Sequence, residues 1–277
     1  MITSLHSPHV ERVKALLGSK GKKVRKAEGI FISDGYQAMK SALRPGYSEA
    51  PQIEKIYATT LGIEKLQSEF LSTELSQWEI VAVSDEVMAA MSDAQTSQGV
   101  LALCRVSQFS FQKLRARTLE GGITRIAYFW QMQDPGNAGT VIRSADAFGC
   151  DAVLFSPDSV DIYSPKTIRA TVGSLWNLPV VEDVELDEIT KLAVASDIPL
   201  LVFDGGGESS LLELESERFI SLFGNEARGV PDLTAIDLQP DIRYISIPML
   251  GKTESLNVAS AATVALFHLA KGRLGAS

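Results

Sequence analysis

Three short segments in the second half of the chain carry residue types that can do chemistry, each at the end of an apolar run. The first holds Asp134, Asn137, Gly139 and Arg143; the second Gly224, Asn225, Glu226, Arg228 and Gly229; the third Pro248, Gly251, Ser255 and Asn257. Glycine or proline punctuates the backbone in each and permits its close approach to a ligand. The amide, hydroxyl and charged side chains beside it can orient a polar molecule, stabilise charge or move a proton. Any one segment alone is a capped helix or a turn. Three in succession, each at a strand end, describe one binding site.

The elements that position them follow from the apolar pattern. From about residue 123 the chain alternates apolar runs (125–130, 152–155, 178–181, 199–203, 219–223, 244–247) with amphipathic stretches (138–149, 164–172, 186–196, 255–270). That pattern predicts a parallel sheet covered by helices on both faces, with ligands beyond the strand C-terminal ends. The helix expected from about residue 140 carries Arg143 on its first turn. Gly224 ends a strand where backbone must approach a ligand. Gly205, Gly206 and Gly207 also follow a strand, but the G-x-G-x-x-G spacing is absent and Glu208 would face a pyrophosphate, so they read as a plain loop. No P-loop or nucleophile-elbow motif occurs.

The first hundred residues read as a separate α/β domain. Short strands at 29–33, 53–58, 80–83 and 100–104 are separated by helices around 34–44, 60–70 and 84–91, with another helix after Ser7 and Pro8. The expected domains are 1–105 and 123–277, joined by a linker at 106–122 that is expected to be partly helical.

The order and spacing of the three segments resemble the motifs of the SpoU (TrmH) family of RNA ribose 2′-O-methyltransferases, part of the SPOUT superfamily. The resemblance implies an α/β domain with a deep trefoil knot, S-adenosylmethionine as cofactor, and a homodimer in which the first-motif arginine completes the partner's site. The positions matching cofactor contacts are Gly224, Ile247 and Leu256, and those matching catalytic residues are Asn137, Arg143, Glu226, Ser255 and Asn257. The stretch with Val160, Asp161, Pro165, Lys166, Arg169, Gly173 and Ser174 resembles members acting on large-subunit ribosomal RNA. Ser7, Pro8, Lys22, Arg25, Lys26, Glu28, Gly29, Phe31 and Gly35 are similar to the family's substrate-binding domain, which itself resembles RNA-binding ribosomal proteins. Asp34 stands where that domain more often has Glu. The expected activity is therefore 2′-O-methylation of rRNA; a tRNA enzyme of the same family and a silent RNA-binding assembly or resistance factor are the alternatives.

Charge fits an RNA partner only locally. The net charge of −8 lies entirely in residues 106–277, with fourteen basic against twenty-two acidic side chains, whereas residues 1–28 hold seven basic and two acidic ones. Phosphate contacts need local cations, which makes Lys22, Lys23, Arg25 and Lys26, with Arg169, the expected RNA-binding residues. Cys104 and Cys150 lie in or beside apolar stretches and are expected to be buried thiols of a reducing cytoplasm. Three scattered histidines give no metal-ligand spacing, and no apolar run is long enough to span a bilayer, so neither a metal nor a membrane is expected.

Overall fold

The computed structural model describes residues 1–18, 20–94, 96–233, 241–253 and 255–274; Glu254 of the third motif lies outside them. The chain divides into two units, Met1–Gln108 with Asp161–Asn177, and Phe109–Val160 with the chain from Leu178 onward.

In the first unit α1 (Pro8–Leu17) starts where Ser7 accepts a hydrogen bond from the His9 amide, with proline at the first helical position. Its buried stripe, Val10, Val13 and Leu16, packs on Ile30 and Ile32 of β1 (Ile30–Asp34) and on Val87, Met88 and Met91 of a later helix. β1 pairs antiparallel with β4 (Val100–Arg105), which pairs antiparallel with β2 (Gln52–Ala58), and β2 runs parallel to β3 (Ile80–Ala82). The four strands lie in the order β1-β4-β2-β3.

The opposite face of β1 is covered by chain from much later in the sequence. Phe31 meets the rings of Tyr163 at 4.8 Å and Trp176 at 6.0 Å, and the Trp176 indole donates to the Pro51 carbonyl at 2.9 Å. Arg25, on α2 (Gly21–Glu28), is bound here too. Its Nε and Nη2 donate to one oxygen of Asp161 at 3.0 and 2.7 Å, and Nη1 donates to the Leu16 carbonyl. Both members of the pair are 7% exposed. This corrects two sequence expectations. Residues 161–177 belong with the first unit, although they interrupt the second, and Arg25 is turned into the protein instead of towards an RNA. The pattern could not show this, because a helix covering either unit has the same periodicity. The helix itself forms as expected, as Pro165–Thr171.

Residues 106–122, expected as a linker, hold a helix (Phe111–Leu119) whose N-cap Ser110 accepts from the Lys113 amide and whose Leu114 is fully buried in the second unit. The parallel sheet follows. Its strands are β5 (Arg125–Phe129), β6 (Ala152–Phe155), β7 (Val180–Val181), β8 (Leu200–Phe203), β9 (Ser209–Ser210), β10 (Phe219–Phe223) and β11 (Ile242–Ser246). They lie in the order β7-β6-β5-β10-β8-β11-β9, all paired in parallel. The two-residue β9 was not foreseen.

Four adjacent strands end in phenylalanine, in register. Phe203 stacks on Phe223 at 4.7 Å, Phe223 on Phe129 at 5.2 Å, and Phe129 on Phe155 at 5.6 Å. Two helices of this unit pack side by side: α8 (Pro135–Ala147) and α11 (Val258–Leu274), joined by a 2.7 Å hydrogen bond between the Ser144 and Thr263 hydroxyls. Both cysteines are buried as expected, and burial pushes their thiols up, that of Cys150 to about 12. Among the described residues no helix is long and apolar enough to cross a membrane.

The Arg25–Asp161 pair makes a stability prediction. Removing one member leaves the other charge buried and alone, which costs about 3–5 kcal/mol. Arg25→Ala should lower the urea midpoint accordingly, while Lys23→Ala, on the exposed side of the same helix, should leave it unchanged.

Candidate active site

The site grows from the helix and loop starts at the C-terminal end of the parallel sheet. After β5, the Asp134 carboxylate accepts a 2.8 Å hydrogen bond from the Asn137 amide and so caps α8. The helix therefore begins at Pro135, five residues earlier than the sequence suggested, because proline and an aspartate cap outweigh the glycines at 136 and 139. Asn137 sits in that first turn. Arg143 is six residues on, about 9 Å further along the helix axis, exposed and with no partner among the described residues.

After β10 the chain makes a tight turn closed by Asn225 and Gly229, whose backbones exchange hydrogen bonds of 2.8 and 2.9 Å. Asn225 is 8% exposed and braces the turn. Its Oδ1 accepts from the amides of Ala227 and Arg228, and its Nδ2 donates to the Gln131 carbonyl at 2.7 Å. Gly224 lines the cavity, as expected, but its own fold also requires it. A Cβ there would lie 2.3 Å from the Gly229 carbonyl oxygen and 2.4 Å from its carbon.

Before α11 the side chain of Asn257 accepts from the amides of Ala259 and Ser260. It is thus the cap of a helix that starts at Val258, three residues later than expected. Its remaining group, Nδ2, donates to Asn137 Oδ1 at 3.3 Å, and Asn137 Nδ2 donates to Glu226 Oε1 at 3.1 Å. The direction of this chain is forced. A carboxylate only accepts, so Asn137 must present its NH2 to Glu226 and its oxygen to Asn257, whose own oxygen faces the helix amides. One asparagine therefore ties the three motifs together.

Beside it lies a cavity of about 570 Å³. Gly224, Glu226, Ile247, Ser255, Leu256 and Asn257 all stand in its wall, so six of the eight expected site residues are gathered there. Asn137 touches two of them, and Arg143 is not in the wall. Phe203 and Phe223 of the phenylalanine row form apolar wall. Asp204 and Gly205 also line the cavity, which corrects the reading of Gly205, Gly206 and Gly207 as a plain loop. A glycine run directly after an apolar strand was the available signal; judging it only as a pyrophosphate loop missed it.

Among the described lining residues only Asp204 and Glu226 are ionisable, and the rest are apolar, amide, hydroxyl or glycine. Two carboxylates on an apolar wall suit a cationic ligand with an apolar body, not a phosphate-bearing nucleotide. Among the described residues no group of three His, Cys, Asp or Glu gathers as a metal-ligand set.

In the first unit Lys22, Lys23 and Lys26 are exposed. Arg169 is half-buried and donates to Asp93 at 2.8 Å, so its charge is already answered within the protein.

Residues 125–267 match the model of the SpoU rRNA methylase family, and residues 10–102 match an MRM3-like substrate-binding domain. The chain belongs to the SpoU rRNA methylase family. It is 28% identical to a 23S rRNA (uridine(2479)-2′-O)-methyltransferase of Streptomyces viridochromogenes, covering 94% of this chain and 88% of that one. It is 30% identical to the 23S rRNA (guanosine(2553)-2′-O)-methyltransferase RlmP of Bacillus subtilis (strain 168), over 68% of this chain and 71% of the relative. The fold matches that of the SpoU methyltransferase AviRb from S. viridochromogenes, crystallised with AdoMet, with a TM-score of 0.77 at 23% identity over 97% and 100% of the two chains. An AdoMet-bound rRNA methyltransferase from Sinorhizobium meliloti gives 0.79 at 24% identity, over 99% and 97%.

Gly224→Ala follows from the turn's geometry. The added methyl must push Gly229 away and open the turn that carries Glu226, at a cost of about 1–3 kcal/mol. Urea denaturation should show that loss, and Ala227→Gly, in the same turn, should not reproduce it.

Proposed function

We propose that the chain transfers a methyl group from S-adenosylmethionine to a ribose 2′-hydroxyl of structured RNA, with large-subunit ribosomal RNA as substrate. The observation that carries this reading is the hydrogen-bonded junction of Glu226, Asn137 and Asn257 beside a nucleoside-sized cavity whose ionisable wall groups, among the described residues, are all acidic. The names of the rRNA 2′-O-methylating relatives support the RNA and the position. A 2′-hydroxyl is also what separates RNA from DNA.

The bound cofactor would supply an electrophilic methyl on a sulfonium. The chain's residues must align the 2′-oxygen with it and take up the hydroxyl proton. Glu226 is the acceptor available at this place, since Asn137 engages only one of its oxygens. Arg143 acts as a cation in this scheme: a guanidinium offers hydrogen-bond donors only and no acceptor. Its role is to hold the phosphate beside the target ribose and to stabilise the developing alkoxide.

That role is exercised across a homodimer. Val264 and Phe267 of α11 are exposed, at 43% and 53%, and Phe148 packs edge-on against Phe267 at 5.5 Å. They leave an apolar face beside α8, the helix that carries Arg143, and a second copy would cover it. The trefoil knot of the family and a cytoplasmic location belong to the same reading. Lys22 and Lys23 contact the RNA backbone.

The deciding experiment is mapping of 2′-O-methyl groups in rRNA and tRNA after incubation with the protein and S-adenosylmethionine. One new site in large-subunit rRNA is expected. A tRNA site would move the substrate, and cofactor binding without methylation of any RNA would leave a silent binding factor. Arg143→Ala and Glu226→Gln should each lose at least about 100-fold in rate. Mixed and re-formed as dimers, the two variants should regain activity, because one site in each mixed dimer is intact.

The basic helix gives a separate test. Lys22→Gln with Lys23→Gln should lower the slope of log affinity against log salt by about 1.5. Fluorescence anisotropy over a KCl series reads this directly, and an unchanged slope removes these lysines from the RNA footprint.

A further inference from the structure

Among its described residues the cavity wall holds one charged group that the methyl-transfer scheme does not use. Asp204 stands half-buried at the end of β8, its Oδ1 accepting from the Gly206 amide at 2.8 Å. Oδ2 has no partner among the described residues, and no described cation pairs with the carboxylate. Lys252, in the loop before Ser255, is exposed and stands outside the wall. Glu226, the other acid of the wall, is engaged by Asn137.

The loop cannot withdraw this charge. The Asp204 amide donates to the Ile245 carbonyl and the Gly207 amide to the Asp204 carbonyl, both at 3.1 Å. Gly207 lies so close to β11 that a Cβ there would be 2.6 Å from the Ile245 carbonyl carbon and 2.7 Å from the Ser246 nitrogen. The carboxylate is therefore a fixed part of the cavity, and a fixed charge costs no reorganisation when a ligand arrives.

We infer that Asp204 is a specificity-determining residue that favours the sulfonium cofactor over its demethylated thioether product. The inference rests on the cofactor reading given above. Methyl transfer breaks the sulfur–methyl bond, the bonding pair stays on sulfur, and the ligand loses one positive charge. A carboxylate in the wall attracts the ligand before the reaction and loses that attraction afterwards, so the same residue helps product leave. Through a partly solvated cavity, one unit of charge is worth about three- to tenfold in affinity.

Asp204→Asn is the informative substitution: it keeps Oδ1 for the Gly206 amide and removes only the charge. Isothermal titration calorimetry with S-adenosylmethionine and S-adenosylhomocysteine, on wild type and variant, reads both affinities without turnover. The preference for S-adenosylmethionine should shrink about three- to tenfold in the variant, with S-adenosylhomocysteine affinity changed less than about twofold. An unchanged preference, whether both affinities fall together or neither moves, overturns the inference and leaves the cofactor reading intact. A wild-type protein that binds neither ligand overturns that reading and this inference with it. Should circular dichroism show Asp204→Asn misfolded, Asp204→Ser retains a hydroxyl acceptor for the turn and gives the same two outcomes.

Discussion

The second unit depends on a row of four stacked phenylalanines. Phe155, Phe129, Phe223 and Phe203 end neighbouring parallel strands in register, so all four strands stop at one level. Aromatic rings at these separations attract each other beyond the area they bury, and a slip of one residue would turn the ring to the other face. The row thus fixes both the height of the sheet's edge and its face. The loops beyond it start from a common plane, and two of its rings become apolar wall of the cavity.

Above that plane the site is held by amide and carboxylate side chains anchored to the backbone. Asn257 and Asp134 cap helices, and Asn225 braces a turn; each has its oxygen committed to main-chain donors. That leaves little rotational freedom for Asn137, whose two ends are claimed by Glu226 and Asn257. The caps that shape the elements are the same residues that orient the chemistry. Arg143, which has no such anchor, stands apart from the junction on the exposed side of α8.

The first unit is organised around a different constraint, a buried ion pair. Arg25 and Asp161 are 136 positions apart, and their bond brings residues 161–177 onto β1 together with the Phe31, Tyr163 and Trp176 rings. Burial of two charges is tolerated because Arg25 also donates to the Leu16 carbonyl and Asp161 also accepts from the Tyr163 amide. The cluster that looked uniformly basic in sequence is therefore divided: Lys22 and Lys23 face solvent, and Arg25 serves the core.

The sequence by itself determined the parallel α/β unit, the smaller α/β unit before it, the strand ends at which the site forms, and six of the residues in the cavity wall. Those follow from local information: apolar period, caps and glycine placement act over a few residues and are written there. The earlier start of α8 and the later start of α11 turned on competing local signals, where an N-cap side chain outweighs its neighbours. What only the tertiary structure decided was which distant segments share a space. The return of 161–177 to the first unit, the inward turn of Arg25, the pairing of Arg169 with Asp93 and the place of Asp204 in the cavity all depend on non-local contacts. A charged side chain reads the same in sequence whether it faces water, a partner charge or a ligand; its surroundings exist only once the strands have taken their order.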